Sequence, residues 1–279
     1  MLVNLNEVLK YAEEHHCAIG SFNTPNLENM VAVISAAEEL NVPVIIMHAQ
    51  CHEQDAHLDI VGPVMLLMAE RAKVPVCVHL DHCEDLDYLK RAIDLGFTSV
   101  MLDASSKPYD ENVRMTKEAV RLAHAKNVSV EAEIGVLGGR EAGDQKPLTK
   151  EEMYTDPELA KRFVEDTHID ALACSFGTAH GIYKVKPELD FERIKKIKAL
   201  CNLPLVMHGG SGVSSEDYVK AIQCGVRKIN YYSYMAREGV YAAREIVQKD
   251  ITFYHEIATY ATEKMKQDVL RAMHIFYNK

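Results

Sequence analysis

No apolar run in this chain of 279 residues approaches the roughly 20 residues that span a bilayer, so a membrane protein is not expected. The opening residues, Met1-Leu2-Val3-Asn4-Leu5-Asn6-Glu7, lack the basic and then apolar stretches of a secretory signal, and the expectation is a cytosolic protein. Positive charge is in short supply. There are 31 Lys and Arg against 41 Asp and Glu, a net charge of -10. Such a surface repels a phosphate backbone, which argues against nucleic acid as a partner. A small phosphorylated ligand is not excluded, because local backbone N–H groups and a metal can hold it. The cysteines, seven and therefore odd in number, form no C-x-x-C pair. Neither a disulfide framework nor a cysteine zinc site is expected, only reduced thiols. No Pro- or Gly-rich linker divides the chain, so residues 1–279 read as one domain.

What is present is alternation. Short apolar runs at Ala18–Asn23, Pro43–Ala49, Pro75–Leu80, Thr98–Ala104, Val128–Ile134, Ala171–Gly177, Pro204–His208 and Arg227–Tyr232 read as strands. Between them, Leu27–Leu40, Leu86–Leu95, Glu111–Lys126 and Phe191–Leu200 carry apolar residues at helical spacing, as expected for helices with one buried face. Punctuation agrees. Asn41-Val42-Pro43, Lys73-Val74-Pro75 and Asn202-Leu203-Pro204 each close a helix and open a strand, and Gly96 and Gly225 follow helical patterns where a left-handed cap is common. Asp156-Pro157 reads as an N-cap and the first helical residue. Regular alternation implies a parallel sheet, and eight repeats suggest closure into a (β/α)8 TIM barrel, which takes about 250 residues. The doubly wound open sheet is the alternative. A helical C-terminal segment, Tyr234–Tyr277, exceeds what one barrel helix needs and is expected to pack on the barrel floor or on a neighbouring subunit. The one long irregular stretch, Val136–Tyr154, is expected to be functional for that reason.

Catalytic groups in such barrels come from the C-terminal ends of the strands. There the chain places His79-Leu80-Asp81-His82, then Asp103, then Glu131 and Glu133 on one face of a strand, then His180-Gly181, then His208-Gly209-Gly210-Ser211-Gly212, then Asn230 and Ser233. Carboxylates and imidazoles are costly beside apolar strands unless paired or metal-bound. A single such histidine is readily explained as a hydrogen-bonded structural residue, and His79 is read so. His82, His180 and His208 come from three strands and would converge on the axis, the ligand set of a catalytic zinc with an open position. The Gly209–Gly212 turn follows the seventh strand, where barrel enzymes frequently bind phosphate. Its exposed N–H groups and the Ser211 hydroxyl suit an anion.

Taken together, Leu80-Asp81-His82-Cys83, Ser99–Ser105, Val130-Glu131-Ala132-Glu133-Ile134-Gly135, Gly177–Gly181 and His208–Gly212 make the chain resemble the class II, zinc-dependent ketose-bisphosphate aldolases. The resemblance runs through the eighth strand. It implies reversible cleavage of fructose or tagatose 1,6-bisphosphate to dihydroxyacetone phosphate and glyceraldehyde 3-phosphate through an enediolate. It implies Zn2+ on His82, His180 and His208, with Asp103 and Glu133 at a second metal position or bonded to the first ligands. Asp81 becomes the acid/base at the aldehyde oxygen and Glu141 the loop carboxylate that moves the carbon-bound proton. Gly181, Gly209, Gly210, Ser211, Asn230 and Ser233 become the donor phosphate pocket, with a sodium or potassium ion nearby. It also implies a homodimer or homotetramer.

The rival aldolase chemistry needs a Schiff-base lysine inside the barrel. The sixth strand, Ala171–Gly177, has none, and Lys228 on the eighth is expected to carry its charge outward to solvent. A metal-dependent hydrolase would favour a H-x-H pair on the first strand, where Gly20-Ser21-Phe22-Asn23 stands. A sugar-phosphate binder without turnover would not need Asp81, Glu141 and all three histidines. The chain departs from its relatives at Tyr231 and Tyr232, where small or acidic residues are usual, and at Glu141-Ala142, where Glu-Asp is usual. The first departure leaves two roles open for the tyrosines, packing on the outer face or reshaping the phosphate pocket.

Overall fold

A computed structural model describes residues 1–135, 154–183 and 185–279. In chain order the strands are β1 (Leu2–Val3), β2 (Ile19–Asn23), β3 (Val44–Ala49), β4 (Val76–Cys83), β5 (Ser99–Leu102), β6 (Ser129–Ile134), β7 (Ala171–Cys174), β8 (Leu205–Met207) and β9 (Val226–Tyr231). The helices are α1 (Leu5–Glu14), α2 (Leu27–Leu40), α3 (Leu58–Arg71), α4 (Leu86–Leu95), α5 (Tyr109–His124), α6 (Pro157–Thr167), α7 (Phe191–Cys201), α8 (Ser215–Cys224), α9 (Ser233–Ile246) and α10 (Tyr254–Phe276). Every strand pairing is parallel, and the order β4-β3-β2-β9-β8-β7-β6-β5 closes through a β4–β5 pairing. Eight strands thus form the barrel, as the alternation implies, and the open-sheet alternative is excluded. The outward-facing strand residues are largely apolar because helices cover them.

The expected strands are found with ends shifted by at most three residues. β1 is an addition that pairs with the lower part of β4, Leu2 opposite Val76. Two helices for which the sequence reading gave no range, α3 and α8, complete the ring, and a third, α1, packs against β2, β4, β6 and β9. In α3, Gly62-Pro63 masks the helical period. The cap signals act as expected. Asp156 accepts from Leu159 N with Pro157 in the first turn, and Asn41, Gly96 and Asn202 close their helices at positive φ.

The C-terminal segment divides into α9 and α10, and α10 packs on α2 and α9. Its end docks on the barrel floor. Phe276 O accepts from Ala18 N, and Tyr277 Oη accepts from Gly20 N at 3.0 Å. No helix among the described residues is long and apolar enough to cross a membrane. All seven cysteines are free thiols.

Candidate metal centre and catalytic cleft

Neighbouring strand residues normally face opposite sides, yet Asp81 and His82 at the end of β4 address one site. The ladder to β5 shifts between Leu80 and Cys83, and His82 adopts φ +43. This bulge turns the His82 ring back toward the axis, next to the Asp81 carboxylate. His82 meets His208, which follows β8, with ring centroids 4.5 Å apart, and His180, from the loop after β7, at 4.8 Å. One nitrogen from each ring lies within 4.8 Å of the others, and His82, Asp103 and Glu133 form a second such group.

Two of the rings, His82 and His208, are set by a carboxylate behind them. A carboxylate with a low pKa can only accept, so the partner nitrogen must carry the proton. His82 Nδ1 donates to Asp103 Oδ2 at 2.8 Å, and Asp103 Oδ1 accepts from Ser105 N and Oγ. His208 Nε2 donates to Glu131 Oε1 at 2.8 Å. That leaves His82 Nε2 and His208 Nδ1 buried without a hydrogen-bond partner, together with Glu133 Oε2, which lies 3.2 Å from His208 Nδ1. Once the His82 proton is displaced, these atoms turn lone pairs toward a common point, as a cation requires. The donor set of imidazoles with carboxylates behind them is that of a zinc site with its orienting partners.

The electrostatics agree. Burial would lower His82, but Asp81, Asp103 and Glu133 raise it to about 10. Burial raises Glu133, and the nearby Asp103 raises it further. Asp103 is held well below the usual carboxylate range, because the hydrogen bond and charge of His82 outweigh its burial. Asp81 is 2% exposed, and burial would raise it, but His82, Lys228, His208 and His79 hold it at about 2. It is therefore an ionised carboxylate, and it accepts from Asn23 Nδ2 and Asn230 Nδ2, each at 3.1 Å.

A cleft opens above these groups, lined by Asn23, Asp81, His82, His180, Gly181, Gly209, Ser211, Asn230, Tyr232 and Ser233 among others. Gly209 has φ +61, and a Cβ there would lie 2.3 Å from Ala179 O, so only glycine fits between the two loops. Ser211 Oγ accepts from Tyr232 N and Ser233 N at the start of α9, which leaves its own O–H to donate. Gly210 is not brought into the lining. Its N–H donates to Asn230 O and its carbonyl accepts from Tyr218 Oη. Glu141 lies outside the described residues.

One expectation changes, and a choice left open is narrowed. Lys228 does not reach solvent: it is fully buried, 2.9 Å from Glu131 Oε2. The reason is strand period. Lys228 and Asn230 are two apart, so a lysine sharing the Asn230 face must point inward. The two tyrosines divide their roles. Both border the cleft, but the Tyr231 ring packs outward on Phe22 and Phe276, with its hydroxyl donating to Asp268 Oδ2, whereas the Tyr232 ring stands 5.4 Å from His52. Asn23 is a site residue that the sequence reading missed, although its place at the C-terminal end of β2 is the signal that marked the others. His79 is structural as expected, bonded through Nδ1 to Ser99 Oγ, and burial first and Lys228 second lower it to about 3.

Comparison with known proteins follows the same lines. The family profile described as Fructose-bisphosphate aldolase class-II matches residues 3–279. The chain is 40% identical over 285 aligned residues to the 6-phospho-5-dehydro-2-deoxy-D-gluconate aldolase of Halalkalibacterium halodurans, covering 99% of this chain and 96% of that one. It is 41% identical over 256 residues to the fructose-bisphosphate aldolase of Geobacillus stearothermophilus, covering 91% and 88%. Among solved structures, the YdjI aldolase from Escherichia coli K12 superposes with a TM-score of 0.88 at 34% identity, covering 99% of this chain and 97% of that one.

Proposed function

Because the chain belongs to the class II fructose-bisphosphate aldolase family, we propose that it cleaves fructose or tagatose 1,6-bisphosphate reversibly to dihydroxyacetone phosphate and glyceraldehyde 3-phosphate, at the cleft around His82, His180 and His208. That it is an aldolase, a carbon–carbon lyase, follows from the family; the ketose and the residue roles are the proposal. One observation carries it: unpartnered nitrogens of His82 and His208 converge beside an ionised, doubly hydrogen-bonded Asp81.

The family is zinc-dependent, and His82, His180 and His208 would hold the ion, with Glu133 beside them and Asp103 behind His82. Zinc, when bound, supplies a Lewis acid for the carbonyl oxygen of the donor half. The remaining work falls to the chain. In the cleavage direction Asp81 takes the proton from the hydroxyl that becomes the aldehyde oxygen. The carbon–carbon bond breaks and its electron pair stays on the donor half. Asp81 is ionised and so free to accept a proton, and Asn23 and Asn230 keep its oxygens in place. Glu141 then returns a proton to carbon. Gly181, Gly209, Ser211, Asn230 and Ser233 hold the donor phosphate through N–H and O–H groups, with Gly210 supporting the turn, and a sodium or potassium ion completes the charge balance. We further take residues 1–279 as one cytoplasmic domain that assembles as a homodimer or homotetramer, which sedimentation velocity would measure.

The test is a coupled assay for dihydroxyacetone phosphate released from each bisphosphate. Activity is expected to vanish with a chelator and return with zinc, and potassium added to the desalted enzyme is expected to raise it. Chelator-resistant cleavage would overturn the metal role. Failure to cleave any phosphorylated ketose would point to a sugar-phosphate-binding barrel.

A second reading keeps the donor half and changes the aldehyde. Tyr232 at the cleft, where relatives carry a small or acidic residue, favours it, as does the near-complete match to the 6-phospho-5-dehydro-2-deoxy-D-gluconate aldolase. Cleavage of that compound in preference to both bisphosphates would select this reading.

A further inference from the structure

The side chain least expected in the barrel is Lys228. It is fully buried and does not line the cleft, so it has no access to a substrate carbonyl. A buried ammonium is costly unless paired, and its two partners lead to different parts of the site. Nζ stands 2.9 Å from Glu131 Oε2, and the other oxygen of Glu131 accepts from His208 Nε2 at 2.8 Å. Nζ also donates to Asn230 Oδ1 at 2.8 Å, and the other end of that amide, Nδ2, donates to Asp81 Oδ1 at 3.1 Å.

We propose that Lys228 is a positioning residue for both halves of the reaction: through Glu131 it turns His208 Nδ1 toward the metal, and through Asn230 it aims the Asp81 carboxylate. The argument is one of donors and acceptors. An ammonium only donates. Beside it Asn230 must present its carbonyl oxygen, so its NH2 group must face Asp81. Glu131 must likewise share its two oxygens, one toward the ammonium and one toward the imidazole. With Lys228 removed, the amide is free to turn over, and Glu131 is left as an unpaired buried charge behind a metal ligand. This role rests on the metal centre proposed above.

The two arms can be separated. Zinc affinity is measured by competition with a chromogenic chelator, and kcat and KM by the coupled assay, for the unaltered enzyme, Lys228→Met and the double variant Glu131→Gln/Lys228→Met. Lys228→Met is expected to lose about 10–100-fold in zinc affinity, the usual effect of removing support behind a ligand. Its zinc-saturated kcat is expected to fall about 10-fold or more with KM little changed. The double variant removes the uncompensated charge and keeps an oxygen for His208, so zinc affinity is expected to return to within about threefold of the unaltered enzyme, in contrast to the 10–100-fold loss. Its kcat is not expected to return, because Asn230 still lacks its partner.

Zinc affinity and kcat of Lys228→Met both within twofold of the unaltered enzyme would overturn the proposal. So would a double variant as poor in zinc as the single one, which would mark a merely structural lysine. If Lys228→Met alone does not fold, the charge-neutral double variant is compared directly with the unaltered enzyme, and an undiminished kcat there overturns the Asn230 arm. Failure of the unaltered enzyme to bind zinc overturns the metal centre and this role with it.

Discussion

His82 occupies a backbone conformation that costs a non-glycine residue about 1–2 kcal/mol, and the hydrogen bond from its ring to Asp103 holds it there. The result is that two adjacent residues, one a metal ligand and one a base, share a site that a regular strand would give to only one of them. Their roles are separable by substitution. Asp81→Ala is expected to retain zinc by elemental analysis and to lose about 10²–10⁴ in kcat, the range for a missing acid/base group; normal cleavage would refute its role. His208→Ala is expected to lose the metal itself, and a variant purified with full zinc would remove His208 from the ligand set. At this scale the three histidines were legible because each stands beside a glycine or a carboxylate at a strand end. Lys228 was not, because its composition preference for solvent was weighed above its position. Strand period, applied from Asn230, would have placed it inside with Glu131, itself two residues from Glu133.

The elements that carry these residues are tied by their loops rather than by the strands alone. Tyr183 Oη donates to Gly209 O at 2.7 Å and accepts from Ala179 N at 2.7 Å, so one hydroxyl joins the residue after His208 to the residue before His180. Gly209 makes that closeness possible. Gly209→Ala brings a Cβ to 2.3 Å from Ala179 O at a φ of +61, and both the clash and the conformation oppose it. The variant is expected to lose at least about 1–2 kcal/mol of stability from the conformation alone, and to show a raised KM for the phosphorylated ketose. A melting temperature and KM equal to those of the unaltered enzyme would mean that the two loops are not interlocked in solution. Strands and most helices were legible at this scale because buried strands read as apolar runs and surface helices as amphipathic ones. The bulge in β4 left no such trace. It consists of a φ angle at a histidine, and nothing in hydropathy distinguishes it from regular strand. Glu141 and the stretch around it lie outside the described residues, so their place in the cleft stays a proposal from resemblance.

Across the whole molecule the barrel interior is built to hold positive charge. Asp81, Asp103, Glu131 and Glu133 gather at one end, and the buried Lys228 ammonium pairs with Glu131 behind them. Without metal, protons make up the difference, which is why His82 is raised to about 10 although burial opposes it. Zinc needs that imidazole neutral, so binding must release its proton. The sign follows. Below about pH 10 the metal-free site is protonated at His82, each rise in pH weakens the competing proton, and apparent zinc affinity increases. One proton displaced corresponds to about tenfold, or about 1.4 kcal/mol, per pH unit. The metal-free fold shows the converse. A raised His82 stabilises it fully below the ordinary imidazole range, and this contribution is lost as pH climbs through about 10. The difference in unfolding free energy between zinc-loaded and metal-free protein, at fixed free zinc, is therefore expected to widen from pH 6.5 to 8.5 by at least about 1.4 kcal/mol per unit. Melting curves of both forms in zinc-buffered solution measure it. A gap independent of pH would mean that no proton leaves when the metal enters, and that the clustered carboxylates do not charge the metal-free site as their geometry requires.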